Sequence, residues 1–436
     1  MTRSPQPRPL SRRAFLGAAA AAALAGCSSD PAPGKVRLRL STWNIAPDLV
    51  SYRAIADRYQ ALHPDVEIAV EVTPGGDFNQ WLTTRLAADR APDLIRIIPQ
   101  QFGRYVETGG MVDISPWLPP GYGDDYRENF WSIVAKDGVT GSRGIYGLPQ
   151  HTDNFITFYR RDILDEIGVT PPPDAVDQAW TWSEFLDVAR EVKRATGAYG
   201  FSVGFGGVNN AYRWLPFLYM HGGRLVEDDL VTPAIESDAG VEALEWTRRW
   251  YAEGLVSLSN TVKGSQGDTA TTLFATDQAG LMLNNPTALP TLQESIPEET
   301  WDTRYMVQDV GRASDCGGNV LAVTRSCRHP EVAADFLAFL NDPENTVEFC
   351  RGGGWVPVRE SIDVDEVGYS YRPDTVARFL VQQDTVPADM IAVETSPTFN
   401  VVNQVLGDYL DLCLIGSITP REAAASIAEG IRNVRH

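Results

Sequence analysis

Strand patterns and helix patterns alternate along the chain from Val36 onward, and this alternation most restricts the possible fold. Apolar and polar residues alternate one by one over 36–42 and again over 66–72, which is typical of half-buried strands. A third, short strand is predicted over 94–98, and apolar residues recur at helical spacing between the three strands. A strand–helix–strand–helix–strand series predicts a parallel sheet that is covered by helices.

The carboxyl ends of such parallel strands are where a ligand crevice is expected. In this sequence Trp43 and Asn44 follow the first predicted strand, and Gln100 and Gln101 follow the third. We therefore expect these four side chains to lie near a ligand.

The size and charge of the chain restrict its function. With 436 residues the chain is long enough for two large lobes. It has 57 acidic and 37 basic residues, a net charge of -20, so nucleic acid and anionic lipid would repel it at long range. A nucleic-acid partner is therefore not expected.

The N-terminus resembles an export signal. Residues 11–16 read Ser-Arg-Arg-Ala-Phe-Leu, a twin-arginine pattern, and residues 24–27 read Leu-Ala-Gly-Cys, which resembles a bacterial lipobox. The apolar stretch between the two motifs is too short to span a bilayer. We expect 1–26 to be a signal peptide, Cys27 to be lipidated, and 27–35 to form a tether that holds the exported protein at the outer face of the cell membrane.

Four cysteines follow the lipobox, at positions 316, 327, 350 and 413. In an exported protein an even number favours one or two disulfides, with three possible pairings, and buried free thiols are the alternative. The sequence contains no Cys-x-x-Cys and no pair of histidines at metal-binding spacing, so neither a metal nor another cofactor is expected.

Eight short segments, in order along the chain, resemble one known family. Two examples are Ala-Pro-Asp-Leu at 91–94 and Gly-Ile-Tyr-Gly-Leu-Pro at 144–149, which leads to 158–162. The other six are 40–44, 181–185, 252–255, 273–282, 329–333 and 354–359. Together they resemble the extracellular solute-binding proteins of bacterial ABC importers, family 1, in the sugar-binding branch that includes maltose-type binders.

The resemblance implies an α/β, periplasmic-binding-protein-like fold of two lobes with a hinge and a ligand cleft between them. Lobe one would comprise 36–148 plus about 304–340, and lobe two would comprise about 149–303 plus 341–436. The implied function is that a monomeric, lipid-anchored receptor captures a carbohydrate, in particular a di- or oligosaccharide. Lobe closure would bury that ligand for delivery to the transmembrane permease subunits.

The resemblance also indicates polar ligand contacts. Asp153 lies where maltose-type binders carry an acidic contact, and capping of the next strand is its alternative role. Gln100 and Gln101 occupy the position of an Asp–Arg pair in those binders, a departure that argues against maltose itself. Asn285 follows an apolar strand pattern at 281–283 and is a further candidate.

Aromatic rings are the second component of a sugar site, because they pack on the C–H faces of the ligand. Tyr212 matches a stacking aromatic of the family, and packing against Trp214 is its alternative role. Trp355 and Arg359 fall in a segment that often closes the cleft, while Trp43 either contacts ligand or packs within its lobe.

Other functions remain as alternatives. The same receptor could carry a polyol or a glycerophosphodiester, for which Arg359, Arg96 and Arg213 would be the available cations. An exported glycan hydrolase is the alternative of another class. It is disfavoured because the chain lacks a Gly-x-Ser-x-Gly motif and any other catalytic signature, so no catalytic residue is predicted.

Overall fold

The computed structural model describes residues 34–73, 78–138, 141, 143–206, 210–265 and 269–434. The export signal, Cys27 and most of the expected tether therefore lie outside the described residues. The strands are β1 Val36–Thr42, β2 Val66–Val72, β3 Leu94–Ile97, β4 Ala135–Asp137, β5 Arg143–Ile145, β6 Leu148–His151, β7 Ile156–Arg160, β8 Tyr199–Val203, β9 Ala279–Asn284, β10 Trp301–Arg304 and β11 Asn319–Val323.

The helices are numbered in the same way. They are α1 Ala46–Leu62, α2 Phe78–Ala87, α3 Pro99–Glu107, α4 Glu128–Val134, α5 Arg161–Glu166, α6 Trp182–Thr196, α7 Leu215–Met220, α8 Asp238–Ala252, α9 Thr269–Ala275, α10 Ala288–Ser295, α11 Pro330–Leu340, α12 Pro343–Gly353, α13 Val364–Val367, α14 Pro373–Gln383, α15 Ala388–Glu394, α16 Phe399–Leu414 and α17 Pro420–Arg432. Within the part of the chain that is described, none of these helices is both long and apolar enough to cross a membrane.

The first sheet has the strand order β2-β1-β3-β11-β6. Strand β1 is parallel to β2 and to β3, which confirms the unit predicted from the alternating sequence pattern. Strand β11 comes from much later in the chain and is inserted antiparallel between β3 and β6. The first sheet is therefore complete only when segments far apart in sequence pair with each other.

The second sheet has the order β10-β7-β9-β8. Strand β7 is antiparallel to β10 and β9, and β8 runs parallel to β9. The chain thus passes from the first sheet to the second between β6 and β7, and it returns between β10 and β11.

Alternate residues of the strands belong to two hydrophobic cores, which lie on opposite faces of the sheets. In β7, Phe158 belongs to one core and Tyr159 to the other, as the two-residue period of a strand requires. Leu281 and Met282 of β9 divide in the same way. Each core contains residues of both sheets, so the two sheets share their apolar packing.

Two local sequence signals set where helices begin. Helix α6 begins with a capping box in which the Thr181 hydroxyl accepts from the Glu184 backbone N–H and the Glu184 carboxylate accepts from the Thr181 backbone N–H. The third strand ends at Ile97, and Pro99 starts helix α3 because its fixed φ suits a first helical position. Gln100 and Gln101 therefore lie in the first turn of a helix.

The expectation of disulfides is wrong for the described chain, in which all four cysteines are free thiols. Burial raises the pKa of Cys327 to about 12 and that of Cys413 to about 11, and the thiols of Cys316 and Cys350 are fully buried. These cysteines act as small apolar side chains, since two continuous cores already supply the packing that a cross-link would reinforce.

Candidate functional site

Polar side chains collect where the chain crosses between the two sheets. Residues 152–155 make the first crossing and 305–318 make the second. A third connection lies between α12, which packs on α1 of the first sheet, and α14, which packs on β7 and β10 of the second. We call the region around these crossings the lobe junction.

Asp153 lies at the centre of the lobe junction and is buried. The Asn285 side-chain amide donates to Asp153 Oδ1 at 3.3 Å, and the Gly318 backbone N–H also donates to this carboxylate. Burial raises the pKa of Asp153, although the charge of Arg213 opposes the rise. A Cβ at Gly317 would lie 1.7 Å from Asp153 Oδ1, so only glycine permits this close approach of the second crossing.

Arg213 brings positive charge to the lobe junction from a 3-10 turn, Ala211–Trp214. Trp214 anchors the turn, because its buried indole donates to Thr247 Oγ1 at 3.2 Å. One guanidinium nitrogen of Arg213 donates to the Gly204 carbonyl at 2.9 Å, Nε donates to the buried Tyr212 hydroxyl at 3.3 Å, and a third nitrogen is 4.0 Å from Asp153 Oδ1. This turn therefore places a cation and a ring beside the central carboxylate.

Two further carboxylates are fully buried at the lobe junction. Asp315 Oδ1 accepts from the Phe155 backbone N–H at 2.7 Å, and burial raises the Asp315 pKa to about 7. Glu394, at the end of α15, accepts from the Gln100 amide at 2.6 Å, and burial also raises its pKa. The same Gln100 nitrogen donates to the Cys316 carbonyl at 2.7 Å, so one amide contacts both the second crossing and α15.

Gly103 explains how α3 brings Gln100 to Glu394. A Cβ at Gly103 would meet the Thr395 carbonyl oxygen at 2.2 Å, so a larger residue would push α3 away from the end of α15. The close packing of these two helices holds the Gln100–Glu394 hydrogen bond in place.

A second polar cluster lies in the first sheet and adjoins the lobe junction through His151 and Asp153. Arg96 and Asp48 form a fully buried ion pair, and Arg96 also contacts His151 Nε2 at 3.0 Å. The Trp355 indole donates to Asp48 Oδ1 at 2.8 Å, and its ring stacks on His151 with 4.4 Å between centroids. Trp43 is half-buried, with the Arg96 guanidinium 4.8 Å from its ring centroid.

The structure brings together most of the residues that the sequence singled out. Gln100, Asp153, Tyr212 and Asn285 lie at the lobe junction, and Trp43 and Trp355 lie in the adjoining cluster around Arg96. Gln101 is half-buried beside Gln100 in the first turn of α3, and Asn44 is exposed just after β1.

Arg359 lies apart from both clusters. It donates to Asp125 Oδ2 at 2.9 Å, to the Asn341 carbonyl at 2.8 Å and to the Tyr122 hydroxyl at 3.2 Å, and it stacks on Tyr126. The buried guanidinium joins three segments of the chain here, a role that does not require a ligand.

Sequence reasoning did not include Asp315 and Glu394 among the candidate residues, and it considered Arg213 only as a contact for a phosphate. Asp315 precedes Cys316 and the two glycines of the second crossing, and such a Gly-Gly step after an acid was a usable signal. Glu394 carries no local signal, because one acid among 57 does not stand out.

These contacts define the class of protein. Two α/β sheets joined by crossing segments, with hydrogen-bonding side chains and aromatic rings collected at the crossings, form a two-lobed periplasmic-binding-protein-like fold. Residues 43–347 match the family model of the bacterial extracellular solute-binding proteins, and the chain belongs to that family.

Known proteins that resemble the chain agree with this assignment. The arabinooligosaccharide-binding protein of Bacillus subtilis is 22% identical over 348 residues, which cover 74% of this chain and 73% of that protein. The GacH receptor of Streptomyces glaucescens, solved unliganded and with acarbose, superposes with a TM-score of 0.77 at 20% identity and covers 92% of this chain and 100% of its own. Maltose-bound MalE3 of Thermotoga maritima gives a TM-score of 0.77 at 19% identity, with coverage of 91% and 99%.

Proposed function

We propose that this protein is the substrate-binding component of an ABC importer and that it captures a carbohydrate, in particular a di- or oligosaccharide, between its lobes. The observation that carries the proposal is the meeting of Gln100, Asp153 and Asn285 at the lobe junction, with Tyr212 beside them. Sugar hydroxyls need both donors and acceptors, and this set, together with the neighbouring Arg213, offers amides, a carboxylate and a guanidinium.

The names of the relatives support a carbohydrate. The Bacillus subtilis relative is an arabinooligosaccharide-binding protein, and two of the structures that superpose on this chain were solved with acarbose or with maltose. The residue types at Gln100 and Gln101 differ from the maltose-type pair, so we propose a different sugar for this chain.

Closure of the lobes would convert binding into a signal for the permease. We propose that the crossings form the hinge between lobe one, expected over 36–148 plus about 304–340, and lobe two, expected over about 149–303 plus 341–436. With the hinge there, β6 as far as His151 and helix α12 belong to lobe one. Gln100 belongs to α3 beside the first sheet and contacts Glu394 of α15, so ligand contacts there would change when the lobes separate. A monomer suffices for this cycle.

We further propose export through the twin-arginine motif and anchoring at the outer face of the cell membrane through a lipid on Cys27. Cys27→Ala should release the protein from the membrane fraction, whereas a change of Ser28 to Ala should leave it bound. Retention of the Cys27→Ala variant in washed membranes would contradict the anchor.

Two other ligands are less well supported. A glycerophosphodiester needs cations, yet Arg213 already faces Asp153 and Asp315, and their negative charge would repel a phosphate. A polyol could use the same hydrogen-bonding groups but offers no flat C–H face to a ring. Glycan hydrolysis, the alternative of another class, predicts turnover of the ligand.

The test is a thermal-shift screen of the purified protein against mono-, di- and oligosaccharides, polyols and glycerophosphodiesters. A ligand at about a hundredfold excess over Kd stabilises the folded protein by about 2.7 kcal/mol, which raises the melting temperature by a few degrees. A shift with one sugar series, with the sugar recovered unchanged, supports the proposal. A shift only with a phosphodiester, or turnover of a glycan, would overturn it.

Asp153→Asn tests the central residue, because the amide keeps the size of the side chain but removes its charge. We expect the affinity for the ligand to fall by about tenfold or more, with the melting temperature of the free protein close to that of the parent. Asp165→Asn, on an exposed face of α5, is the matched control and should bind normally. Unchanged affinity in Asp153→Asn would return Asp153 to a role in capping the next strand.

A further inference from the structure

The lobe junction contains more acidic than basic side chains. Asp153, Asp315 and Glu394 meet there, each at least nine-tenths buried. All three face Arg213, and Asp153 also faces Arg96. A buried carboxylate is costly unless a positive charge or several hydrogen bonds compensate it. In the free protein burial raises all three pKa values, so bound protons offset part of this charge. When the three carboxyls are ionised, Arg213 compensates only part of their charge, because Arg96 is already paired with Asp48.

Three oxygens within this group of side chains also lack a hydrogen-bond partner. They are Oδ2 of Asp315, Oε1 of Glu394 and Oε1 of the uncharged Gln100, and all three are buried. Gln100 Oε1 can only accept a hydrogen bond, and so can the two carboxyl oxygens once they are ionised, whereas Gln100 Nε2, the donor beside them, is already bound to Glu394 and to the Cys316 carbonyl. These three oxygens therefore lack donors, and the carboxylates, once ionised, also lack positive charge.

The chemistry that supplies both is an ammonium group, with three N–H donors on one positive charge. A neutral sugar hydroxyl donates one hydrogen bond and brings no charge. A metal ion is a poorer fit, because within the described ranges no group of three or more His, Cys, Asp or Glu side chains could hold one.

We infer that the transported solute is an amino sugar or another amine-bearing saccharide, and that its ammonium group binds among Asp153, Asp315, Glu394 and Gln100 at the lobe junction. This inference rests on the proposed function, since it names the class of carbohydrate. The neighbouring Tyr212 and Arg213 would then contact the uncharged part of the sugar.

Isothermal titration calorimetry with matched disaccharides tests the inference. Two series, one α-1,4-linked and one β-1,4-linked, carry an amine, an N-acetyl amide or a hydroxyl at the same carbon. We expect the amine to bind about tenfold or more tightly than both counterparts in one series. Tighter binding of a hydroxyl sugar would overturn the amine while leaving the sugar receptor intact, and failure of every saccharide would overturn both proposals. Stabilisation by calcium or magnesium chloride alone would replace the amine with a metal.

A substitution separates recognition of charge from folding. Glu394→Gln should reduce the preference for the amine by about tenfold while leaving the affinity for the neutral counterpart similar. Glu128→Gln, at an exposed position of α4, is the matched control and should keep the preference. If Glu394→Gln folds, by circular dichroism, and keeps the full preference, the ammonium does not bind at this carboxylate.

Discussion

Replacement of Asp315 by asparagine should stabilise the free protein, and by more at alkaline than at acidic pH. Asparagine can still accept the Phe155 backbone hydrogen bond through Oδ1, which Asp315 accepts at 2.7 Å. What the substitution removes is a charge in a fully buried position beside Asp153, where burial raises the pKa from an ordinary value of 3.8 to about 7.

The direction of this pH effect on stability follows from proton binding. The folded state holds a proton on Asp315 up to about pH 7, whereas the unfolded chain releases that proton near its ordinary value. The parent protein therefore loses stability as the pH rises between these two values. The difference between 3.8 and about 7 corresponds to about 4 kcal/mol, and about 3 kcal/mol of it develops above about pH 5.

Urea unfolding, followed by tryptophan fluorescence at about pH 5 and about pH 8, measures this difference. The advantage of Asp315→Asn over the parent should grow by up to about 3 kcal/mol between the two conditions. Asp165→Asn, at an exposed site, should show no comparable growth. A loss of stability at both pH values would mean instead that Asp315 stays ionised against Arg213, and the reasoning from burial would be refuted.

Three further outcomes can be measured by the same methods. Arg359→Ala should cost about 2–4 kcal/mol of unfolding free energy, because Asp125 and the Asn341 carbonyl lose the hydrogen bonds that Arg359 donates. Ligand affinity should stay unchanged, and a selective loss of affinity would place Arg359 in the binding site. Trp355→Phe keeps a ring stacked on His151 but removes the donor to Asp48, so it should lower the free energy of unfolding by about 1–3 kcal/mol. An unchanged urea midpoint would contradict this. A reducing agent should leave the melting temperature of the parent unchanged because the four thiols are free, and a marked decrease would reveal a disulfide.

The parts of the fold that could be predicted depend on local sequence. The alternation around β1 and β2 is encoded within a few residues, and the structure confirms the strands that it predicts. The Thr181 capping box is an equally local signal. Pairing across hundreds of residues has no such local signature, which is why the position of β11 between β3 and β6 could not be derived from periodicity.

The same distinction applies to the candidate site. Asp153 could be named because a recognisable motif precedes it, and the structure places it at the lobe junction. Asp315 and Glu394 are 79 residues apart in the numbering, and their relation arises only through the crossings and the packing of α3 on α15. Arg359 lies within a familiar segment, yet its hydrogen bonds are made to Asp125, Asn341 and Tyr122.

The position of β11 also has a consequence for synthesis of the chain. A nascent polypeptide that ends before Asn319 can pair β1 with β2 and β3, but the edges of β3 and β6 stay without their shared neighbour. Unpaired strand edges are templates for aggregation, and long-range pairing of this kind folds slowly. Folding of the first sheet therefore waits for about three quarters of the chain, and an export route that accepts only folded cargo would reject every shorter product.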